Sequence, residues 1–406
     1  MRFTLLIALR SLGRNKRRTL ITTGATALAA FIMLVYSTLL AGLIRTLERS
    51  VTDMELGDLQ VHPVGYRIDP DLYTRIEDVD ARLAALDAAG LDAAPRLFGA
   101  ALAASGNHSA GVELRGVDVD RESTVTKVHR HLVDGEWLSP DHPHGVVLGR
   151  KLARSLHAHV GDEVVVLGQA ADGSMANDLY RVRGVLKNVG DRMDRAGFLM
   201  TEGAFRQLMI VGDGAHEIAV SRSEGMELGA AKAAIEAALP NAEVLTWREL
   251  QPAVAQMVDS SMAGRLIMLL ITYGAIATVI LNATLMSVFE RIRELGVMKA
   301  VGAPPLQIAS IVLIEALLQG AIAATVAVAA GLPLALWLET NGWDLRSMVG
   351  TMSLSGIAWE PIWYAEVDVA GVVVPVLTLF AMVIVAAIYP SLKAAFLSPI
   401  RAIYHR

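Results

Sequence analysis

The sequence contains no cysteine and few aromatic residues. Among its 406 residues there is no cysteine, and phenylalanine, tryptophan and tyrosine together make up 5%. The first absence excludes disulfides, thiolate metal sites, cysteine nucleophiles and a lipid-modified N-terminal cysteine. Because aromatic residues are few, the hydrophobic share of 53% comes mostly from alanine, leucine, valine and isoleucine, as lipid-facing helices require.

Motifs for nucleotide binding and catalysis are also missing. No G-x-x-x-x-G-K-[ST] segment occurs, so the chain has no P-loop for ATP. Neither G-x-S-x-G nor H-E-x-x-H occurs. These absences predict that the chain is not an enzyme and binds no cofactor itself. Any action driven by ATP then needs a separate subunit.

Long apolar segments indicate an integral membrane protein. The mean hydropathy of +0.45 is too high for an ordinary soluble chain. Four runs are long enough to cross a bilayer as helices. They span residues 19–44, 264–288, 307–338 and 368–390.

The distribution of charge predicts how these spans are oriented. The first 18 residues carry six lysines and arginines and no acid, and the last residues are also basic. Such segments remain in the cytoplasm. Residues 45–259 hold 22 Lys and Arg against 33 Asp and Glu, a net charge of −11. We therefore expect cytoplasmic termini and an external segment between the first two spans.

Two other interpretations of the basic N-terminal segment are less consistent with the sequence. A secretory signal peptide has a shorter apolar region than the run from residue 20 to 44. Nucleic-acid binding would need an extended basic patch with partners that read bases, which the sequence does not offer. We therefore predict an uncleaved membrane anchor and no nucleic-acid partner.

The external segment alternates short strand and helix patterns. Strand, helix and strand patterns occur at residues 58–62, 77–89 and 91–97, and again at 216–221, 227–239 and 243–246. Between them, short alternating runs are typical of a small β domain.

The predicted fold class is an α-helical membrane protein with four transmembrane helices and a large extracytoplasmic α+β domain carrying an inserted β-rich subdomain. Within the external domain, residues 54–98 and 206–247 form the α+β part, and residues 99–205 form the insert. The predicted boundaries up to the second span are 1–18 for a cytoplasmic amphipathic helix, 19–53 for the first membrane helix and its extension, 54–247 for the external domain, and 248–288 for the second extension and membrane helix. A cytoplasmic coupling helix is predicted at 289–305 and the third membrane helix at 306–338. An outer loop at 339–367, the fourth membrane helix at 368–390 and a cytoplasmic tail at 391–406 complete the prediction.

A short charged segment, FERIRELGVMKAVGA, occupies residues 289–303 between the second and third spans. Prolines 304 and 305 follow it and cannot continue a helix. The pattern predicts a short cytoplasmic helix at the membrane surface. Two polar residues lie inside the neighbouring spans, Asn282 and Glu315. Polar groups in a bilayer are costly and usually face protein or water, and we expect Glu315 to pair with Arg291 or Arg293.

This segment resembles the signature of the MacB, LolC/LolE and FtsX superfamily of ABC transporter permeases. The shared pattern is E-R-x-R-E-x-G-x-x-K-A-x-G-A followed by Glu315 in the next span. Phrases of the external segment, such as LRGVD and VGDEVVVL, are also similar. The opening GDLQVHPVGYRIDPDLY looks most like the LolC/LolE branch.

The resemblance implies a function and partners. In this family the charged segment is the coupling helix that touches a cytoplasmic ABC ATPase, which uses ATP and magnesium. Implied further are a second permease copy, identical or different, surrounding membrane lipids, a possible periplasmic protein partner and a location in the bacterial inner membrane. The positions carried over as contacts with the ATPase are Glu290, Arg291, Arg293, Glu294, Gly296, Lys299 and Gly302.

The cargo implied is a lipoprotein or another lipid-like molecule extracted from the inner membrane. Two alternatives remain open: a MacB-like efflux or peptide-export permease with an adaptor and an outer-membrane duct, and an FtsX-like signal relay that transports nothing.

Two other clusters suggest chemistry less strongly. Three H-x-H pairs, at residues 129 and 131, 142 and 144, and 157 and 159, lack acidic or cysteine ligands at regular offsets, so we expect no metal. Asp191 and Asp194 alternate with Arg192 and Arg195, which favours a charge-paired turn over an acid and base pair.

Overall fold

The structure is a computed structural model that describes residues 16–187, 189–223, 225–344, 352–354, 357–359 and 362–397, with Ala8 and Arg10. Most of the predicted N-terminal helix and the end of the predicted tail lie outside the described residues. The chain divides into two compact units. Residues 1–45, 258–348 and 362–406 form the first, here called the membrane unit. Residues 46–257 and 349–361 form the second, here called the β-rich domain.

The elements are numbered in chain order. The helices are α1 (Lys16–Val51), α2 (Val79–Ala88), α3 (Val119–Val125), α4 (Arg150–Leu156), α5 (Asp191–Ala196), α6 (Glu202–Met209), α7 (Leu228–Ala238), α8 (Trp247–Leu250), α9 (Pro252–Glu290), α10 (Ile292–Ala300), α11 (Pro305–Asn341) and α12 (Val369–Ala395). A π-helical turn, Thr52–Leu56, follows α1, and a 3₁₀ turn covers Val128–Arg130. The strands are β1 (Leu59–Pro63), β2 (Leu91–Ser105), β3 (His108–Val117), β4 (Leu132–Gly135), β5 (Gly145–Leu148), β6 (Glu163–Gln169), β7 (Met175–Leu186), β8 (Gly197–Thr201), β9 (Glu217–Arg222), β10 (Ala242–Thr246), β11 (Trp343–Asp344), β12 (Met352–Leu354), β13 (Ile357–Trp359) and β14 (Ile362–Trp363).

One strand, β2, joins the two halves of the β-rich domain. Its first residues pair with β9 in the sheet ordered β10, β1, β9 and β2, where every pairing is antiparallel. Its last residues pair with β3 on one side and β6 on the other. The further pairings β3 with β8, β8 with β5, β5 with β7 and β7 with β6 close a six-stranded barrel. A closed barrel leaves no unpaired strand edge.

Each half has its own hydrophobic core. The barrel encloses apolar side chains that alternate along its strands, among them Val164, Val166 and Phe198. The four-stranded sheet is covered by α2 and α7, whose Leu86 and Ile235 are fully buried with the sheet residues. Alternation of buried and exposed residues is what a strand with one core-facing side requires.

The membrane unit contains helices long and apolar enough to cross a bilayer. Four are found among the described residues, at Thr19–Leu56, Pro252–Glu290, Pro305–Asn341 and Val369–Ala395. At about 1.5 Å per residue, all four are longer than the roughly 30 Å hydrocarbon layer. The first three spans predicted from the sequence fall within these helices, and the fourth, 368–390, begins one residue before Val369.

Small residues allow close packing in the membrane unit. A side chain at Gly320 of α11 would come within 3.2 Å of Val383 of α12. Tyr273 of α9 is fully buried, and its hydroxyl donates to the carbonyl oxygen of Pro375 at 2.9 Å. Close approach through small residues is a common means of helix association in lipid.

Candidate functional site: the turn between the second and third membrane helices

The turn between α9 and α11 is formed by two changes of direction. Helix α9 ends at Glu290, and the non-helical Arg291, with φ −107° and ψ 15°, caps α10. After α10, Gly302 adopts φ +103°, a conformation that side-chain-bearing residues avoid. Pro304 is extended and Pro305 is the first residue of α11, as expected of proline at the start of a helix.

One side of α10 packs into the membrane unit. Leu295 and Ile292 are buried, and Leu295 belongs to a cluster with Val288 of α9, Ile308 of α11 and Ala394 of α12. The short helix therefore rests on the ends of three membrane helices. Its amphipathic pattern is sufficient for one face to be buried.

Glu315 lies beneath the turn and is 4% exposed. Its carboxylate accepts hydrogen bonds from Ser287 Oγ and from Arg291 Nη1, both at 3.2 Å. Arg291 Nε also donates to Glu294 Oε2 at 3.1 Å. The pairing of Glu315 with Arg291 agrees with the sequence-based prediction. A buried carboxylate requires such partners.

Lys299 faces the protein. Its ammonium group donates to the backbone carbonyl oxygens of Ala395 at 2.6 Å and Leu397 at 2.7 Å. The last carbonyl groups of a helix have no partner within it, and a cation there also interacts favourably with the helix dipole. Lys299 thus caps α12 and connects that helix to the turn. The sequence predicted Lys299 as a contact with the ATPase and did not indicate that it caps α12.

A second contact connects α12 to α9, on the other side of the turn. The ammonium group of Lys393, in the last turn of α12, lies 4.6 Å from the ring centre of Phe289 and 5.7 Å from that of Tyr389. These are cation–π distances. The end of α12 is therefore held to both sides of the turn.

The opposite side of the turn is exposed and mixed in character. Val297, Val301 and Leu306 are 51%, 84% and 81% exposed. The side chains of Glu290, Arg293 and Glu294 also lie on the surface. Exposed apolar side chains surrounded by charges are typical of protein interaction sites.

The other polar residue predicted within a span has a different environment. Asn282 is exposed on α9 and has no hydrogen-bond partner among the described residues. It lies eight residues before Glu290, at a depth of about 12 Å along the helix. Glu315 and Asn282 are thus not brought together.

The β-rich domain holds a buried ionic cluster that sequence reasoning missed. Arg96 is 1% exposed and donates two hydrogen bonds to Glu122, at 2.9 and 2.6 Å, and one to Glu217 at 2.8 Å. It also donates to the Glu55 carbonyl oxygen at 2.7 Å. Burial alone would lower the pKa of Arg96, but the carboxylates of Glu122 and Glu217 outweigh it and raise the pKa. The available signal was an arginine within an apolar strand.

A cavity of about 920 Å³ lies beside this cluster and is lined by Arg96, Glu217, His62 and Tyr66. The Tyr66 ring stacks on His62 and on His216, with centres 6.2 and 5.4 Å apart. Burial lowers the pKa of His62, and burial lowers that of His216 to about 4. Both histidines are therefore neutral at ordinary pH.

The weaker candidates from the sequence are in separate environments. His157 stacks on His108 with ring centres 4.0 Å apart, and His129 Nδ1 lies 3.2 Å from the Thr126 carbonyl oxygen. Among the described residues, no group of three histidine, aspartate or glutamate side chains could hold a metal ion. Asp191 forms ion pairs with Lys151 and Arg195.

Two family models match the chain. The model described as "MacB-like periplasmic core domain" matches residues 19–238, and the one described as "FtsX-like permease C-terminal" matches residues 266–399. The first covers more than half of the chain. The protein therefore belongs to the MacB- and FtsX-like family of ABC transporter permeases.

Individual relatives are distant. An uncharacterised ABC transporter permease of Methanocaldococcus jannaschii is 24% identical over 282 residues, which are 66% of this chain and 64% of that protein. The match thus spans less than two thirds of that relative. The periplasmic region of MacB from Actinobacillus actinomycetemcomitans aligns with TM-score 0.38 and 13% identity, over 49% of this chain and 94% of that one. The extracellular domain of the transporter YknZ from Gram-positive bacteria aligns with TM-score 0.33 and 12% identity, over 47% of this chain and all of that one.

Proposed function

We propose that this permease passes the energy of ATP hydrolysis, carried out by a separate cytoplasmic ATPase subunit, to its β-rich domain. The observation that carries the proposal is the two-sided turn around α10. One side is held by Leu295, Glu315 and Lys299, and the other presents Val297 and Val301 to solvent. A helix fixed on one side and exposed on the other can transmit a push from a docked partner.

The charge distribution supports the direction of this transfer. Basic residues at both ends of the sequence and the acidic segment 45–259 support a turn in the cytoplasm and a β-rich domain outside. The chain then resides in the inner membrane with both termini cytoplasmic. We propose that the six-stranded barrel is the inserted β-rich subdomain and that it offers a surface to a periplasmic protein partner.

A lipoprotein or another lipid-like molecule is the proposed cargo. The exposed side chains of the described membrane helices are mostly apolar, as in Ile271, Val326 and Leu377. Such faces are suited to an acyl chain and do not line a wide aqueous channel. Two copies of the chain supply two turns and two β-rich domains, and we propose that the working unit contains a second permease.

Efflux or peptide export is the second candidate, because the matching family model carries the MacB name. A signal relay without transport is the third, because the C-terminal model carries the FtsX name. The two transporting candidates differ in what purifies with the membrane complex. Lipid-modified proteins support extraction, whereas an adaptor and an outer-membrane duct support efflux.

The coupling role can be tested by changing the exposed side of the turn. The double variant Val301→Asp with Leu306→Asp should weaken binding of the ATPase by about thirtyfold, as expected for the loss of roughly 2 kcal/mol at an interface centre. Stimulated ATPase activity in proteoliposomes should fall with it. Ile68→Asp is the matched control, because Ile68 is 91% exposed but belongs to the β-rich domain. Equal stimulation of the ATPase by both variants would show that this side of the turn is not the docking surface.

A further inference from the structure

The cavity of about 920 Å³ in the β-rich domain lies over one side of the paired strands β2 and β3. Phe98 of β2 lies opposite Arg115 of β3. Gly111 and Glu113 are on the same side of β3 as Arg115, because successive residues of a strand alternate, and all four residues line the cavity. Leu114, on the other side, is fully buried in the barrel core. The strand pair therefore turns an apolar side to the barrel and a charged side to the cavity.

Arg115 is buried, but few of its donors are used. The residue is 6% exposed, and Nη2 donates to Glu55 Oε1 at 3.0 Å. Nε has no hydrogen-bond partner in the part of the chain that the structure describes. Arg96, on the neighbouring strand, uses all three of its side-chain nitrogens. Because a buried donor without an acceptor is costly, Arg115 requires an acceptor that the described residues do not supply.

The carboxylates that line the cavity already have partners. Glu55, Glu113 and Glu217 each form an ion pair with an arginine, at 3.0, 2.7 and 2.8 Å. Asp71 accepts from two backbone amides, at 2.7 and 2.6 Å. Arg67 also lines the cavity and forms no ion pair with any described residue. The unused groups are therefore donors and a positive charge, which a ligand with acceptor oxygens and a negative charge complements.

The rest of the lining is largely apolar. Leu72, Met209 and Leu250 lie around the cavity together with Phe98. The volume is within the range of small-molecule sites, about 300–1,000 Å³. A dianion such as phosphate would be repelled by the four carboxylates and would leave the apolar side chains uncovered. A monoanion with an apolar body is suited to both parts of the lining.

We propose that the cavity binds a small organic carboxylate, with its carboxylate on Arg115 and its apolar part against Phe98 and Leu72. A guanidinium group matches a carboxylate in both geometry and charge. The residues of this site belong to the β-rich domain, whereas the turn around α10 belongs to the membrane unit. The inference therefore adds a ligand-binding role to the proposed coupling function and does not depend on it.

A titration with a fluorinated phenylpropionate tests the proposal. The full chain is held in lipid nanodiscs, the fluorine NMR signal of the probe is followed, and empty nanodiscs correct for partition into lipid. The acid should bind with a Kd of about 1 mM or below. The matched amide lacks the charge and should bind at least about tenfold more weakly. Equal affinity for acid and amide, or equally effective binding of inorganic phosphate, would overturn the proposal.

Gly111→Trp tests the location of the site without removing a charge. A Cβ atom at Gly111 would meet no described atom within 4 Å, so the indole can occupy the cavity and should abolish binding of the acid. Gly203→Trp is the matched control, because Gly203 of α6 is equally open but lies outside the cavity. That variant should bind the acid normally. Equal binding by the two variants would show that the acid does not occupy this cavity.

A second pair of variants tests the role of Arg115. Arg115→Met should raise the Kd of the acid by at least about tenfold, the factor for losing a hydrogen bond to a charged group. Arg181→Met, at an exposed ion pair of the same domain, should leave it unchanged. An unchanged Kd in Arg115→Met would overturn the assignment of the carboxylate to Arg115.

The source of the carboxylate is distinguished by a second probe, an acetylated dipeptide that ends in fluorophenylalanine. Tighter binding of the dipeptide than of the phenylpropionate supports a site for the carboxyl terminus of a peptide. Weaker binding supports a site for a free small molecule.

Discussion

Arg96 in the β-rich domain and Arg291 in the membrane unit both pair with buried glutamates, but they are held very differently. Arg96 is 1% exposed and uses all three guanidinium nitrogens. The Arg291 side chain is 14% exposed and makes longer contacts with Glu315 and Glu294. Because Arg96 has more and shorter contacts than Arg291, we expect loss of the Arg96 cluster to cost more stability than loss of the contacts around Arg291.

The largest effect is expected in the β-rich domain, at the Arg96 cluster. Arg96→Met leaves Glu122 and Glu217 buried without their cation, and losing one partner of such a cluster costs about 3–5 kcal/mol. Hydrogen exchange of β2 in the purified full chain should therefore speed up by more than a hundredfold.

Arg181→Met is the matched control in the same domain. Arg181 pairs with Glu163 at 3.4 Å, and both side chains are more than half exposed. Such surface pairs contribute at most about 1 kcal/mol. If both variants changed hydrogen exchange equally, the Arg96 cluster would stabilise the β-rich domain no more than a surface ion pair does.

The second largest effect is expected from acid, which should lower the free energy of unfolding of the β-rich domain. Unfolded His216 takes up a proton near pH 6.5, but the folded residue does so only near pH 4, because it is buried. Between these values the unfolded state binds more protons, so stability falls as the pH drops. The full loss is at most about 3 kcal/mol.

The control for this prediction keeps the local hydrogen bond. His216 Nδ1 accepts from the Phe98 amide at 2.9 Å, and the carbonyl oxygen of His216→Asn can accept in its place. The melting temperature of that variant should depend less on pH between 6.5 and 4. An unchanged dependence would assign the acid sensitivity to other groups, such as His62.

The two regions also differ in how far the sequence predicted them. The strand and helix patterns at residues 58–62 and 77–89 reappear as β1 and α2 with small shifts at their ends. The strand predicted at 91–97 begins where β2 does but continues to Ser105, eight residues further. Local periodicity specifies such elements. The closure of the barrel and the Arg96 cluster depend on residues far apart in the chain, such as Glu55 and Glu217, which no local pattern brings together.

In the membrane unit, the sequence predicted one contact of the turn and did not indicate another. The Arg291–Glu315 pair was expected from charge and depth. The contact of Lys299 with the ATPase stays a prediction, and the capping of α12 by its ammonium group is a role that the sequence did not indicate. A lysine on a short helix has the same pattern in both cases, and only the position of the end of α12 distinguishes them.

A smaller effect is expected when the turn between α9 and α11 loses the charge of Glu315. Glu315→Gln weakens the contact with Arg291, a charged hydrogen bond of about 1.5 kcal/mol. ATPase stimulation should fall by roughly tenfold with little change in melting temperature. Glu339→Gln, at the far end of the same helix, should leave stimulation near its normal level.

The double variant Arg291→Met with Glu315→Met sharpens this test. Replacing a buried pair by apolar residues is often neutral for stability. A stable double variant without stimulation would show that the pair serves coupling. Full stimulation would mean that the pair only holds the turn in place.

The smallest effect should come from Lys299. Lys299→Met removes two hydrogen bonds to the end of α12, each contributing about 0.5–1.5 kcal/mol. Exchange of the amides in the last turn of α12 should rise by at least about 5-fold, because two bonds at the lower limit sum to about 1 kcal/mol, while exchange in β2 stays constant. Lys299→Arg retains the charge and the donors, so it should restore much of the protection. If Lys299→Met changed only ATPase binding and not the exchange of α12, Lys299 would contact the partner, and the turn would be connected to α12 by Lys393 and Phe289 instead.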